Sequence, residues 1–269
     1  MVDKSREELI KEAVKSYYGA RAREVEPSCC GPAPCCGAAS IEAQTGGASD
    51  PQVVCCAGEE TVGSLGCGNP LAFVEIEEGQ VVLDLGSGLG MEAILAARMV
   101  GDRGKVIGLD MTAEMTERAR RNAARAGVQH IAEFRLGEME GMPVDDESVD
   151  WIISNCVINL SPDKERVFRE AYRVLKPGGK MLISDLVSSG LPEEMKRDLT
   201  AWAQCVGGTV EETEYLRLIE EAGFSQVTVV ERTDASALLA GSGCCASASD
   251  LAGSPTVSSI RVSATKIDR

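Results

Sequence analysis

The stretch Gln80-Val-Val-Leu-Asp84-Leu-Gly86-Ser87-Gly88-Leu-Gly90 limits the fold more than any other part of the chain. Its apolar run is too short for a helix and reads as a strand buried on both faces. The glycines then permit a tight turn into a helix from Gly90 to Val100. The unit repeats: strand KVIGLD, a helix from Met115 to Ala126, then strands AEFRLG, VDWIISN and GKMLISD, with a helix from Lys164 to Leu175 between the last two. Strands alternating with helices predict an α/β fold with a doubly wound, mostly parallel sheet. Pro192 to Val206 and Thr213 to Ala222 read as helices. SQVTVVER is a sixth, parallel strand and SSIRVSATK a closing antiparallel one.

Upstream, residues 4–25 read as an amphipathic helix with Leu9, Ile10, Val14 and Tyr17 on one face. Residues 27–63 shift to Gly, Ala, Pro, Ser and Cys and read as loop. The expected regions are therefore an N-terminal helix with a Cys-rich segment (1–63), a ligand-binding α/β domain (64–187) and a C-terminal segment completing the seven-stranded sheet (188–269).

Glycine spacing narrows the ligand. A dinucleotide loop is G-x-G-x-x-G, with the pyrophosphate on the helix amino end. Here the glycines fall at every second position behind Asp84, and a carboxylate suits a cationic ligand better. Asp110, ending the second strand, can accept both hydroxyls of a ribose. A turn without a ligand is the bland alternative, disfavoured by the combination of Asp84, Asp110 and sheet order.

Composition matters at two points. The net charge of −15 argues against a nucleic-acid backbone or an acidic membrane surface as partner. No apolar run reaches the length of a membrane helix, and the amino terminus lacks a signal-peptide core, so a cytoplasmic protein is expected. Eleven cysteines against one histidine is the anomaly. In a reducing compartment such thiols are ligands, redox groups or small buried hydrophobes rather than a disulfide framework. His130 alone removes most Cys/His zinc patterns and most histidine acid–base chemistry.

Cys156 stands at the carboxyl end of the fourth strand, where doubly wound sheets hold ligands. Cys205 follows the fifth strand and Cys67 precedes the first. Three converging thiols would hold a soft, trigonal ion. On residue chemistry alone, the buried-hydrophobe reading is even with the ligand reading for Cys156 and ahead of it for Cys67 and Cys205. Four vicinal pairs add to the count: Cys29-Cys30, Cys35-Cys36, Cys55-Cys56 and Cys244-Cys245. Adjacent cysteines match zinc spacing poorly, but Cys244-Cys245 follows a parallel strand on the ligand side and could capture a thiophilic ion. Trp151 and Phe168 read as core, Lys164 and Arg166 as a solvated helix face, and Trp202 as either pocket wall or core.

An acidic residue before G-x-G-x-G resembles the class I S-adenosylmethionine methyltransferases, and implies a Rossmann-like methyltransferase sheet. By that resemblance Gly86, Gly88 and Gly90 face the methionine part, with Ser87 and Asn155 beside them. Asp110 faces the ribose, Met111 flanks the adenine, and Glu138 is a further adenine neighbour. LGCGNP, GLDMTAEM, SNCVINLSPDK, EAYRVLKPGG and the Cys205-Val-Gly-Gly segment, in that order, resemble the arsenite methyltransferases. This resemblance implies that Cys67, Cys156 and Cys205 bind As(III), with a fourth N-terminal thiol assisting, Cys30 being favoured among its neighbours. It further implies arsenite and methylarsenite as substrates, no metal cofactor, and thioredoxin or glutathione as external reductant. Two other readings stay open: a methyltransferase of a quinone or other small molecule, and a non-catalytic thiol protein that binds metalloids.

Overall fold

The computed structural model describes residues 4–24, 70–240 and 255–267. β1 (Val81–Leu85) is buried along nearly all its length, as an apolar run covered on both faces must be. β2 (Lys105–Asp110) and β4 (Val149–Asn155) flank it in parallel, with β3 (Ala132–Leu136) beyond β2 and β5 (Leu175–Ser189) beyond β4. β7 (Thr256–Thr265) pairs antiparallel with both β5 and β6 (Ser225–Asp234), giving the order β3-β2-β1-β4-β5-β7-β6. β6 therefore runs with the first five strands and β7 alone opposes them. The expected division at 187/188 falls inside β5, which is hydrogen-bonded there to β7.

Alternate residues of the central strands feed two layers. Leu83, Leu85, Ile152 and Ile183 pack toward α4 (Lys164–Val174) and α7 (Glu212–Glu221), around the edge-to-face pair Phe168 and Tyr215. Val82, Trp151, Ile153 and Leu182 pack toward α2 (Met91–Val100) and α3 (Ala113–Arg125). Each such fully buried side chain contributes about 1.5–3 kcal/mol, so the two layers hold the carboxyl ends of β1, β2 and β4 in rigid register.

Two expectations about helices need correction. In α1 (Lys4–Glu24) the buried stripe is Ile10, Val14 and Ala22, each 1% exposed, whereas Leu9 is 54% exposed. A four-residue repeat keeps one helix face, and Leu9 lies one 100° step off it. The single helix expected over 192–206 is two, α5 (Glu193–Arg197) and α6 (Leu199–Ala203). Asp198 breaks it: its backbone is extended and its carboxylate accepts the Thr200 N–H at 2.8 Å, capping α6. α1 packs on α6 and α3, which carries an N-terminal element over the ligand side of the sheet.

Candidate cofactor and thiol site

Beyond the carboxyl ends of β1, β2 and β4 lies a cleft of about 960 Å³, partly open to solvent. The glycine loop forms one wall. Gly86 has φ +64°, and a Cβ there would stand 2.2 Å from Val157 Cγ2, so no side chain is accommodated. Gly88 and Ser87 also line the cleft. Gly90 does not. It precedes α2 with φ +86°, and its missing side chain makes room for Phe134, whose ring a Cβ would meet at 2.9 Å. The bare Cα there serves helix-to-sheet packing.

Asp84 is 2% exposed, yet its Oδ2 has no hydrogen-bond partner, and neither has the buried Ser87 Oγ. Buried polar atoms are normally paired, so two orphans in the wall of one cleft mark a surface completed by a polar ligand. Burial pushes the Asp84 carboxyl well above the usual carboxylate range, and the Glu92 and Asp110 carboxylates add to this. A cation bound in the cleft would reverse that shift. Asp110 is fixed across the loop: Oδ2 accepts the Gly88 N–H at 3.0 Å and Oδ1 the Thr112 N–H at 2.8 Å. Burial raises its carboxyl too, against the pull of these two bonds. Met111 and Asn155 line the cleft as well. Glu138 lies outside the lining. Its carboxylate is held by Lys11 at 2.8 Å and Lys15 at 3.1 Å, chiefly the former, which lowers it below the ordinary range. Glu138 sits between Gly137 and Met139, which do line the cleft, and its partner Lys11 lines it too.

The adjoining wall, beyond β4, carries thiols. Only four non-glycine residues among those described have positive φ, and two of them are Cys156 (φ 55°) and Cys205 (φ 64°). A left-handed conformation costs an L-residue about 1–2 kcal/mol, and strain of this kind concentrates at functional sites. The strain is held by bonds: Cys156 N–H donates to Ser184 O at 2.7 Å, and Cys205 Sγ donates to Cys156 O at 2.9 Å. Cys156 lines the cleft, with Cys205 joined behind it. Both are buried in an apolar nest with Ile10, Val14, Leu160 and Leu186. Cys67, Cys30, Cys244 and Cys245 lie outside the described residues, as do the other vicinal cysteines. The structure thus brings together two of the three expected ligands.

Several residues of the site were not anticipated. Tyr18 lines the cleft and sets its hydroxyl 3.7 Å from Cys205 Sγ. Glu92, in the first turn of α2, accepts a hydrogen bond from Asn155 Nδ2 at 2.9 Å. Lys164 is not on a solvated face: it is 7% exposed, with Nζ donating to Ser161 O at 3.1 Å and lying 5.4 Å over the Trp202 ring. Desolvation pushes its ammonium down to about 8, against the nearby Asp185, Cys205 and Glu140. Asp185, pushed up by burial to about 6, accepts from Asn159 Nδ2 at 2.8 Å and the Tyr215 hydroxyl at 3.0 Å. A signal for Lys164 did exist, since it lies on the same helical stripe as the buried Val167, Phe168, Ala171 and Val174. Arg166 is exposed, and Trp151 and Phe168 are core, as read from the sequence. Trp202 is partly buried and packs against the nest that holds both thiols.

Comparison with known proteins gives this geometry a family. Residues 76–223 match the model of a methyltransferase domain. The chain is 47% identical over 171 residues to an arsenite methyltransferase of Halobacterium salinarum, covering 63% of this chain and 44% of that protein. It is 37% identical over 233 residues to one of Aquipseudomonas alcaligenes, covering 82% and 64%. It therefore spans less than two thirds of either relative. Among solved structures, the arsenic (III) S-adenosylmethionine methyltransferase of Chlamydomonas reinhardtii superposes with a TM-score of 0.64 at 35% identity, over 76% of this chain and 68% of that one. On sheet order, glycine loop and these likenesses together, the chain belongs to the arsenite methyltransferase family, built on the class I methyltransferase fold.

Proposed function

We propose that this chain transfers methyl groups from S-adenosylmethionine to trivalent arsenic held by cysteine thiolates, converting arsenite and then methylarsenite as a detoxification reaction. The observation that carries the reading is the pair of left-handed cysteines, Cys156 and Cys205, locked to each other beside a carboxylate-lined cleft.

The cleft suits the cofactor on its own evidence: Asp84 Oδ2 and Ser87 Oγ are buried without partners, and Gly86 leaves the backbone bare. Asp84, Gly86, Ser87 and Gly88 are assigned to its amino-acid end, Asp110 to the ribose and Met111 to the adenine. When bound, S-adenosylmethionine supplies an electrophilic methyl on a positively charged sulfur. Cys156 and Cys205, with Cys67 as third ligand, are assigned to arsenic. Cys30 is the candidate assisting thiol, and Cys244-Cys245 a capture pair. Thiolate-bound As(III) keeps a lone pair, so methylation needs placement at about 3 to 3.5 Å rather than a general base. The histidine fits this: His130 is exposed and bonded to Asp102 at 3.1 Å. Methyl transfer formally oxidises As(III) to As(V). Two protein thiolates return the electron pair by forming a disulfide, which external thioredoxin or glutathione reduces. Such thiol chemistry belongs in a reducing compartment, and among the described residues no helix is long and apolar enough to cross a membrane.

The direct test incubates the protein with arsenite, cofactor and dithiol, and separates arsenic species by chromatography with arsenic detection. Methylated arsenicals that depend on protein, cofactor and thiol together are expected. Demethylated cofactor produced without any methylated arsenical would overturn the assignment.

A further inference from the structure

The two walls of the cleft meet at one side chain that neither the glycine loop nor the thiols explain. Glu92 projects from the first turn of α2 into the cleft, and its Oε1 accepts a 2.9 Å hydrogen bond from Asn155 Nδ2. Asn155 immediately precedes Cys156, so this bond holds the Glu92 carboxylate at the thiol end of the cleft. The carboxylate of Asp84, buried and with Oδ2 unpartnered, is close enough for Glu92 to raise its proton affinity. Glu92 is thus the carboxylate tied to the residue before the first thiol, while Asp110, which also acts on Asp84, is tied to Gly88 and Thr112.

This placement has a consequence for ligand charge, resting on the reading of the cleft as an S-adenosylmethionine site. A methyl donor that serves an acceptor at Cys156 must bring its methyl-bearing sulfur to that end. Before transfer this sulfur is a sulfonium with one positive charge. Afterwards it is a neutral thioether, and the rest of the molecule is unchanged. A carboxylate fixed at this end therefore interacts differently with the two forms, and specificity is that difference. We infer that Glu92 is the specificity-determining residue for the charge of the cofactor's sulfur, favouring the methylated donor over its demethylated product and so aiding product release. The same hydrogen bond to Asn155 makes Glu92 a positioning residue for the turn that carries Cys156.

Charge and hydrogen bonding can be separated by two substitutions. Glu92→Gln keeps the length and an acceptor for Asn155 Nδ2 but removes the charge. Glu92→Asp keeps the charge and retracts the acceptor. Calorimetric titration of the full chain with S-adenosylmethionine and with S-adenosylhomocysteine, at one pH and salt concentration, reads the ratio of the two affinities without any arsenic or turnover. Glu92→Gln is expected to weaken the methylated ligand about tenfold while the demethylated one changes less than twofold. Glu92→Asp is expected to keep the wild-type ratio within about threefold. Equal losses on both ligands in Glu92→Gln, or an unchanged ratio, would overturn the inference. A wild-type chain that binds neither ligand would overturn both the inference and the cofactor reading. Normal binding with no arsenic methylation would instead overturn the arsenic assignment alone.

Discussion

The glycine-loop wall and the thiol wall of the cleft reach function by opposite routes. On the first, positive φ belongs to the glycines Gly86 and Gly88, for which it costs little. On the second it belongs to Cys156 and Cys205, for which it does cost. The glycine loop is made by consecutive residues at the end of one strand. The thiol wall is assembled from parts 49 positions apart, Cys205 to Cys156, with Tyr18 reaching in from 187 positions away. Binding a cofactor needs a bare backbone, which local sequence can provide. Holding a soft ion needs side chains at fixed angles, which only tertiary structure can impose.

If the walls are functionally separate, damage to one should spare the other. The largest effect is expected on the loop side. Asp110→Ala removes the acceptor of the Gly88 and Thr112 N–H groups as well as the assigned ribose contact. With hydrogen bonds to charged groups contributing about 1.5–3 kcal/mol each, cofactor affinity should fall about a hundredfold by calorimetry. An unchanged affinity would mean that the cofactor does not use this wall.

A smaller effect, on stability, belongs beneath the thiols. Burial disfavours the Lys164 ammonium and pushes it down to about 8 in the folded chain, against 10.5 for an exposed lysine. The unfolded chain then binds more protons between these values, so this group makes stability rise with pH from about 8 to 10.5, and it opposes folding in full below about 8. The cost is roughly 3 kcal/mol at neutral pH. Lys164→Met should flatten that rise in urea denaturation at pH 8 and 10, with cofactor affinity unaltered. A variant that keeps the wild-type slope would place the titration elsewhere. The smallest effect is assigned to Glu138, whose carboxylate is taken up by ion pairs with Lys11 and Lys15. Partly exposed pairs are worth about 0–1 kcal/mol, so Glu138→Gln should change cofactor affinity less than about threefold. A loss of tenfold or more would place Glu138 at the adenine.

The same contrast governs how far each wall was legible in the sequence. β1, the loop, Asp84 and Asp110 lie in one local pattern of apolar run, glycine spacing and carboxylate, and the structure places them together in the cleft. The succession of strands, the mostly parallel sheet and the antiparallel β7 also followed from pattern, whereas the order β3-β2-β1-β4-β5-β7-β6 came only with the structure. Spacing alone does not show that Gly90 also makes room for the Phe134 ring. On the thiol side, residue chemistry left Cys205 as a small hydrophobe, and only the resemblance singled it out. Glu92 and Tyr18 were invisible because their roles depend on the packing of α1 and α2 over the sheet. Lys164 was misread because charge was weighed above helical phase. The break at Asp198 within the helix expected over 192–206 is not legible, because one capping carboxylate inside a helical run looks like any surface residue.

The central claim is that arsenic is held by the thiol wall and the cofactor by the other. The most direct measurement compares Cys156→Ser and Cys205→Ser with wild type for methylation of arsenite and of methylarsenite, alongside cofactor affinity by calorimetry. A serine hydroxyl is a hard, protonated oxygen and a poor substitute for a soft thiolate. Each variant should lose arsenite methylation by at least a hundredfold and bind cofactor within twofold of wild type. Methylarsenite, which needs two thiolates, should keep measurable turnover in at least one of them. Arsenite methylation at the wild-type rate in both variants would contradict the account.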